Sequence, residues 1–301
     1  MLKNIIFNNF NIEITEYQLI KTIDTLVYKI KDTQDNTYIV KLYKKSNYPI
    51  VEKIAQNASF LSFIKNNTDL KVQSVPNLLF PLVYWENEQR YVVLCDYING
   101  EVPCVFDKNF ALLLGEMTAK LHLAAERFSE KINVLNIDNQ LIANVETKIL
   151  KTEKLDKNKT KTLHFSFEKI NNLLLETRKE KQDYGLIHSD LHFDNMILNE
   201  KELSPIDFDE VAYGHFLTDI AITFNEMESF RNHKMLKKYY QIAYEKHRKL
   251  PENFNEIIPK FQAVAAALYL NWYCEEGNED VRKKQDLKIY AKKMLGKMLK
   301  F

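Results

Sequence analysis

Residues 188–195 read His-Ser-Asp-Leu-His-Phe-Asp-Asn, and residues 205–210 read Pro-Ile-Asp-Phe-Asp-Glu. Asp207 stands twelve positions after Asn195. The spacing H-x-D-x-x-x-x-N followed by D-F is that of a phosphoryl-transfer site. One carboxylate, Asp190, orients a hydroxyl; an amide, Asn195, and a second carboxylate, Asp207, hold magnesium. Magnesium asks for hard oxygen ligands, a few from the protein and the rest from water and phosphate. Leu186-Ile187 is a short apolar run entering the loop. Met196–Leu198 and Leu203–Phe208 are apolar runs around Asn199-Glu200-Lys201-Glu202, the pattern of a hairpin with a four-residue polar turn. A hairpin of that length returns the chain to its start, so Asn195 and Asp207 can face one phosphate chain.

Two other readings compete. His188, Asp190, His192 and Asp194 alternate, so an extended segment places all four on one face. Imidazole and carboxylate together suit a transition metal. The Asp-Phe-Asp run, taken alone, is an ordinary strand end. Neither reading accounts for both motifs together, and the remaining histidines are scattered.

The stretch GLIHSDLHFDNMIL, followed by LSPIDFDEVAYGHFLTDIA, resembles the aminoglycoside phosphotransferase and choline kinase superfamily. Gly214 and Asp219 match that family's habit after its metal-binding Asp. A protein kinase would carry Arg where Ser189 stands and an Ala-Pro-Glu segment further on, and neither is present. The resemblance is strong over 185–221 and implies an α+β, two-lobed, protein-kinase-like fold. It implies a small β-rich nucleotide-binding lobe over 1–98 and a larger helical catalytic and substrate-binding lobe over 99–301. The implied activity is ATP-dependent transfer of the γ-phosphate to a small-molecule hydroxyl, with ATP and Mg²⁺ as cofactors. The acceptor would be an amino alcohol, an amino acid, a sugar or an aminoglycoside-like compound. A weak or inactive nucleotide-binding relative acting as an interaction protein is one alternative. A protein Ser/Thr kinase of the same fold is the other.

Composition fits an ordinary soluble globular chain and not a disordered one. Of 301 residues, 46% are hydrophobic and 28% charged, with only six glycines and seven prolines. The net charge of +1, from 42 basic and 41 acidic residues, gives no electrostatic case for nucleic acid or membrane binding. No uninterrupted apolar run reaches membrane-spanning length, and the N-terminus is too polar for a secretory signal. Cys95, Cys104 and Cys274 have unrelated spacing, which makes neither a disulfide framework nor a zinc site. A reducing cytoplasm is the natural compartment. The oligomeric state is not legible.

Residues 25–31 and 37–43 read as two strands around a turn at Asp32–Asn36. In the second, Ile39, Lys41 and Tyr43 share a face. The kinase template places a strand Lys on the α and β phosphates, so Lys41 is assigned there, with Val27 and Ile39 near the base. A solvent-facing Lys41 is the plainer alternative. A helix follows from about Pro49 to Ile64. The family uses a Glu on this helix to hold the phosphate Lys, but Asn57 stands in that register here. Glu52, just over one turn earlier, has the better chemistry and is the favoured partner for Lys41. Residues 19–30 lack glycine, so Thr22, Asp24 and Thr25 would form a polar phosphate loop instead.

Residues 91–98 resemble the family's hinge, with backbone atoms of Asp96 and Ile98 as adenine contacts. Gly100-Glu101-Val102-Pro103 marks the lobe boundary as a turn. From 108 onward the periodicity is helical. Here His122 reads as a packed structural residue, and 258–273 as a buried helix. Asp209 reads as the exposed end of a strand or as a carboxylate supporting Asp207. Candidate acceptor-lining groups are Glu226, Glu228, Trp272, Tyr273, Glu275 and Glu276. Acids with aromatics suit an amine-bearing acceptor, although Glu275–Asp280 also reads as a solvated helix end.

Overall fold

The computed structural model describes residues 1–22, 25–275 and 282–301. Asp24 of the expected phosphate loop and Glu276 of the expected acceptor lining lie outside them. By internal contacts the chain forms two compact units. The first comprises Met1–Glu101, Glu130–Val134 and Ile197–Glu210; the second comprises Val102–Ser129, Leu135–Met196 and Val211–Phe301. Each unit thus draws on more than one segment of the chain.

The first unit is built on a five-stranded antiparallel sheet with order β1-β2-β3-β5-β4. The strands are β1 (Ile14–Lys21), β2 (Thr25–Asp32), β3 (Thr37–Lys44), β4 (Leu82–Trp85) and β5 (Glu88–Asp96). Helix α1 (Leu2–Phe10) precedes them, and α2 (Tyr48–Asn67) follows β3. The two-residue period of β3 divides its side chains. Val40 and Leu42 join Ile30, Val92 and Leu94 on one face, where Leu2 and Ile6 of α1 complete the cluster. Ile39 and Tyr43 join Ile54 of α2, Val93 and Cys95 on the other. Lys41 belongs to this second face by the same alternation.

The hairpin of β8 (Met196–Asn199) and β9 (Glu202–Pro205) returns the chain as expected, but through a turn of only two residues. Glu200 takes a left-handed φ of 49°, which tightens it. Leu198 also bridges Glu101 through two backbone hydrogen bonds of 2.8 and 3.1 Å. Gly100 allows that approach. Its φ is +138°, and a Cβ there would lie 2.5 Å from the Leu198 carbonyl oxygen.

The second unit is mainly helical, with α3 (Lys108–Arg127), α4 (Asn139–Thr152), α5 (Lys157–Glu176), α6 (Phe216–Met227), α7 (His233–Tyr244), α8 (Phe254–Tyr273) and a last helix at Gln285–Met298. Asp107 and Asp156 cap α3 and α5 by accepting from Phe110 and Lys159 backbone amides. A small sheet of β6 (Leu135–Asn136), β10 (Ala212–His215) and β7 (Tyr184–Ile187) sets the start of the 188–195 segment. No helix among the described residues is long and apolar enough to cross a membrane.

His215 on β10 is 2% exposed, and neither ring nitrogen has a hydrogen-bond partner in the protein. Its ring lies between Tyr184 and Phe261. Burial first, and Lys179 second, lower its pKa to about 4. A folded-state value below the unfolded one means that protons favour the unfolded chain. The neutral ring's contribution is therefore complete above about pH 6.5 and is lost as pH falls toward 4, by about 3 kcal/mol in total. Urea midpoints measured across this window should fall for the wild type and fall less steeply for His215→Phe.

Candidate active site

In the first unit Lys41 is buried, 6% exposed. Its Nζ lies 2.6 Å from Asp207 Oδ1 and 3.2 Å from Asp209 Oδ1. The Tyr43 hydroxyl donates to Asp209 Oδ2. Lys21 Nζ is 3.9 Å from the other Asp207 oxygen. Burial works against the charge on Lys41, but Asp207 and then Asp209 outweigh it and raise its pKa well above the usual lysine value. The two carboxylates are driven apart. Burial raises both, yet Lys41 and Lys21 hold Asp207 well below the carboxylate range, while Asp207's own charge helps keep Asp209 above it.

This arrangement corrects two expectations. Glu52 is exposed on α2 and is not the partner of Lys41. Asn57 is buried but donates its Nδ2 to the Phe208 carbonyl at 2.8 Å, so it holds the Asp-Phe-Asp turn and leaves Lys41 to the carboxylates. The acids at Lys41 come from that turn and not from α2. Asp209 is accordingly no exposed strand end. Asp207 takes a left-handed φ of 64° and Phe208–Glu210 coils into a 3₁₀ turn, which brings Asp209 back to Lys41. Glu52→Gln should leave stability within about 0.5 kcal/mol of wild type. Asn57→Ala should cost about 1 kcal/mol or more by removing a buried hydrogen bond. Chemical denaturation of both variants checks the order.

Val27 and Ile39 fall in the apolar cluster beside Lys41, with Tyr43, Val93 and Cys95. At the expected hinge, the Asp96 N–H donates to the Ser74 carbonyl at 2.8 Å, so that amide is already occupied. Its carbonyl accepts from Gln73 Nε2 at 3.3 Å, and its side chain meets Lys65 at 3.1 Å. Ile98 is half-buried.

In the second unit the 188–195 segment is not extended. Ser189 has φ 68°, and Phe193–Asn195 forms a 3₁₀ turn. The alternating one-faced metal site is thereby lost: His188 is buried, Asp194 points to solvent, and no three His, Cys, Asp or Glu among the described residues converge to hold a metal ion. Asp219, fully buried in the first turn of α6, accepts from the His188 and Ser189 amides at 2.9 and 2.8 Å. His122 lies between Asp219 (3.3 Å) and the Tyr244 hydroxyl (2.9 Å), in the structural role expected of it. Burial lowers its pKa, with Asp219 pulling the other way.

Asn195 Nδ2 donates to Asp190 Oδ2 at 2.7 Å and to the Asp190 carbonyl at 2.9 Å. The amide nitrogen is thus committed, and its Oδ1 is the acceptor left for a cation. That oxygen and, in the first unit, the Asp207 carboxylate are each hard donors of the kind magnesium takes, so each residue by its chemistry fits the ion. Sequence reasoning placed His192 only in the alternating metal reading. Its Nε2 is 3.2 Å from Asp190 Oδ1, and its Nδ1 is 3.6 Å from Glu226 Oε2. Burial lowers its pKa, but Asp190 and Glu226 more than offset this and raise it to about 10. The alternating His-x-Asp-x-His pattern was its only signal.

The expected acceptor-lining groups divide. Glu228 is taken up by Lys237 at 2.6 Å, by Lys297 and by Gln262, and its pKa falls to about 2 as these partners outweigh burial. Glu275 pairs with Lys148 at 3.0 Å, and Tyr273 is buried. Trp272 stays 37% exposed. Tyr290, not foreseen, stands edge-on to His192 at 6.5 Å and to Tyr269 at 4.7 Å, and Tyr269 in turn meets Trp272.

Amicoumacin kinase of Bacillus subtilis (strain 168) is 36% identical over 59 residues, which is 19% of this chain and 18% of that relative's length. The chain therefore matches under a fifth of that curated protein. A microcompartment-associated aminopropanol kinase superposes with TM-score 0.79 at 17% identity, covering 99% of this chain and 94% of the other. Amicoumacin kinase hAmiN, solved with AMP-PNP, Ca²⁺ and Ami, gives TM-score 0.76 at 15% identity, covering 94% and 88%. A Plasmodium vivax ethanolamine kinase gives 0.60 at 16% identity, covering 94% and 81%. At these identities the structural likeness shows the fold, a two-lobed kinase-like α+β architecture. A family model described as the phosphotransferase enzyme family, APH, matches residues 18–252, and the chain belongs to that family.

Proposed function

We propose that the protein is an ATP-dependent phosphotransferase that moves the γ-phosphate to a hydroxyl of a small molecule. The observation that carries this reading is the Asp190–Asn195 contact of 2.7 Å, in a loop whose backbone is gripped by buried Asp219. A carboxylate so placed accepts a hydrogen bond from the acceptor hydroxyl and aims its oxygen in line at the γ-phosphorus. The new oxygen–phosphorus bond forms as the bond to the bridging β–γ oxygen breaks. ADP leaves, and the hydroxyl proton passes to Asp190. Lys41 holds the α and β phosphates. Val27 and Ile39 contribute the apolar surface for the base, with the Asp96 carbonyl and the Ile98 backbone as its polar contacts. Asn195 and Asp207 would hold magnesium, which neutralises charge on the phosphate oxygens when bound.

Trp272, Tyr269 and Tyr290 supply aromatic surface near His192, which suits an amino alcohol, amino acid, sugar or aminoglycoside-like acceptor. The free thiols of Cys95, Cys104 and Cys274 suit a reducing cytoplasm. Screening a metabolite library for acceptor-dependent ADP release tests the reading. Release that requires a small hydroxyl compound and is lost in Asp190→Asn supports it. Nucleotide binding without transfer would instead indicate an interaction protein, and transfer to protein Ser or Thr alone a protein kinase.

A further inference from the structure

One face of α6 contacts the catalytic loop residue by residue. Asp219 accepts from the amides of residues 188 and 189. Thr223 Oγ1 donates to the Leu191 carbonyl at 3.2 Å. Glu226 Oε2 accepts from the Phe193 amide at 2.7 Å. Positions 219, 223 and 226 are four and three residues apart, so they form one stripe along the helix. The stripe reads the loop in order, from its left-handed residue Ser189 to its 3₁₀ turn. Only the last member of the stripe, Glu226, also reaches toward the reacting group, and it does so through His192.

We propose that His192 and Glu226 are a positioning pair for Asp190. This inference rests on the phosphotransferase reading. Each oxygen of the Asp190 carboxylate faces a different donor: Oδ2 takes the Asn195 amide at 2.7 Å, and Oδ1 faces His192 Nε2 at 3.2 Å. With a donor at each end, the carboxylate plane cannot turn about its Cβ–Cγ bond without losing one contact. A carboxylate accepts about four hydrogen bonds, more than these two contacts use. The imidazole is itself held from behind, because Glu226 Oε2 lies 3.6 Å from Nδ1 while fixing the adjoining backbone. Without the ring donor Oδ1 loses the contact that sets its end of the carboxylate, while the Asn195 contact survives. Nucleotide binding then persists and the aim of the hydroxyl is lost.

The experiment is acceptor-dependent ADP release by four variants. His192→Phe keeps a ring and removes the donor, and His192→Gln keeps an N–H donor on a flexible stem. Glu226→Gln keeps an acceptor for the Phe193 amide and removes the charge. The fourth joins His192→Phe to Asp190→Asn. His192→Phe should lower kcat about 10–100-fold, as misplacement of a reacting group does. Its KM for Mg·ATP should stay near wild type, and His192→Gln and Glu226→Gln should fall between. In the Asp190→Asn background His192→Phe should have no further effect. Wild-type kcat in His192→Phe overturns the proposal, and so does an equal loss with and without Asp190, which marks a purely structural ring. A wild type that never transfers phosphate overturns the phosphotransferase reading and this pair with it. An active wild type isolates the fate of the pair.

Discussion

Asp190→Asn is expected to keep Mg·ATP binding and to lose ~10²–10⁴ of turnover, the usual worth of a positioned acid–base group. The side chain is isosteric, so the loop held by Asp219 should not move. Chemistry changes for two reasons. The amide cannot take the hydroxyl proton. It also has one acceptor oxygen where the carboxylate has two, so it cannot serve both the Asn195 amide at 2.7 Å and the His192 ring at 3.2 Å. Lys41 and Asp207 lie in the other compact unit and are untouched by the change. Calorimetry for Mg·ATP and a coupled assay for ADP release separate the two quantities. Turnover near the wild-type value would remove Asp190 from its role.

Asp207→Asn should act on the opposite quantity. Magnesium-dependent nucleotide affinity should fall by about two orders of magnitude or more, since even residues one layer behind a metal ligand contribute 10–100-fold. Affinity measured with the ion chelated should change less. The substitution also removes the nearer of the two carboxylates on Lys41, at 2.6 Å, and leaves Asp209 at 3.2 Å to hold a buried cation alone. The variant should therefore be less stable than wild type as well as poorer in binding. Equal Mg·ATP affinity for the two proteins would show that Asp207 is no metal ligand.

What was legible in the chain was local. Asp190, Asn195 and Asp207 declare themselves by spacing, because one loop and one hairpin hold them. Lys41 is found from the two-residue period of its strand, which also puts Ile39 and Tyr43 on its face. The two carboxylate partners of Lys41 were not legible as such, since Asp207 and Asp209 lie 166 and 168 positions away and Asp209 reaches it only through the left-handed backbone at Asp207. No periodicity encodes that turn. His192 was visible as a residue but not as a role, because its second neighbour, Glu226, comes from a helix whose register against the loop is tertiary. Helix α1 was passed over because nine residues with two buried apolar positions make a weak helical signal before the sheet is there to receive them.

Ser189 and Asp207 share one property: each holds a left-handed backbone, at φ 68° and 64°, without being glycine. For a residue with a Cβ, that conformation costs on the order of 1 kcal/mol. At both places the chain forgoes the more comfortable glycine, and at Asp207 it does so for a carboxylate beside the buried ammonium. Glycine at residue 207 would relieve that strain but strip the nearer carboxylate from buried Lys41, and an uncompensated buried cation costs more than the strain does. The strained backbone at Asp207 is therefore fastened by the charge it carries. Drift to glycine is open at residue 189 and closed at residue 207.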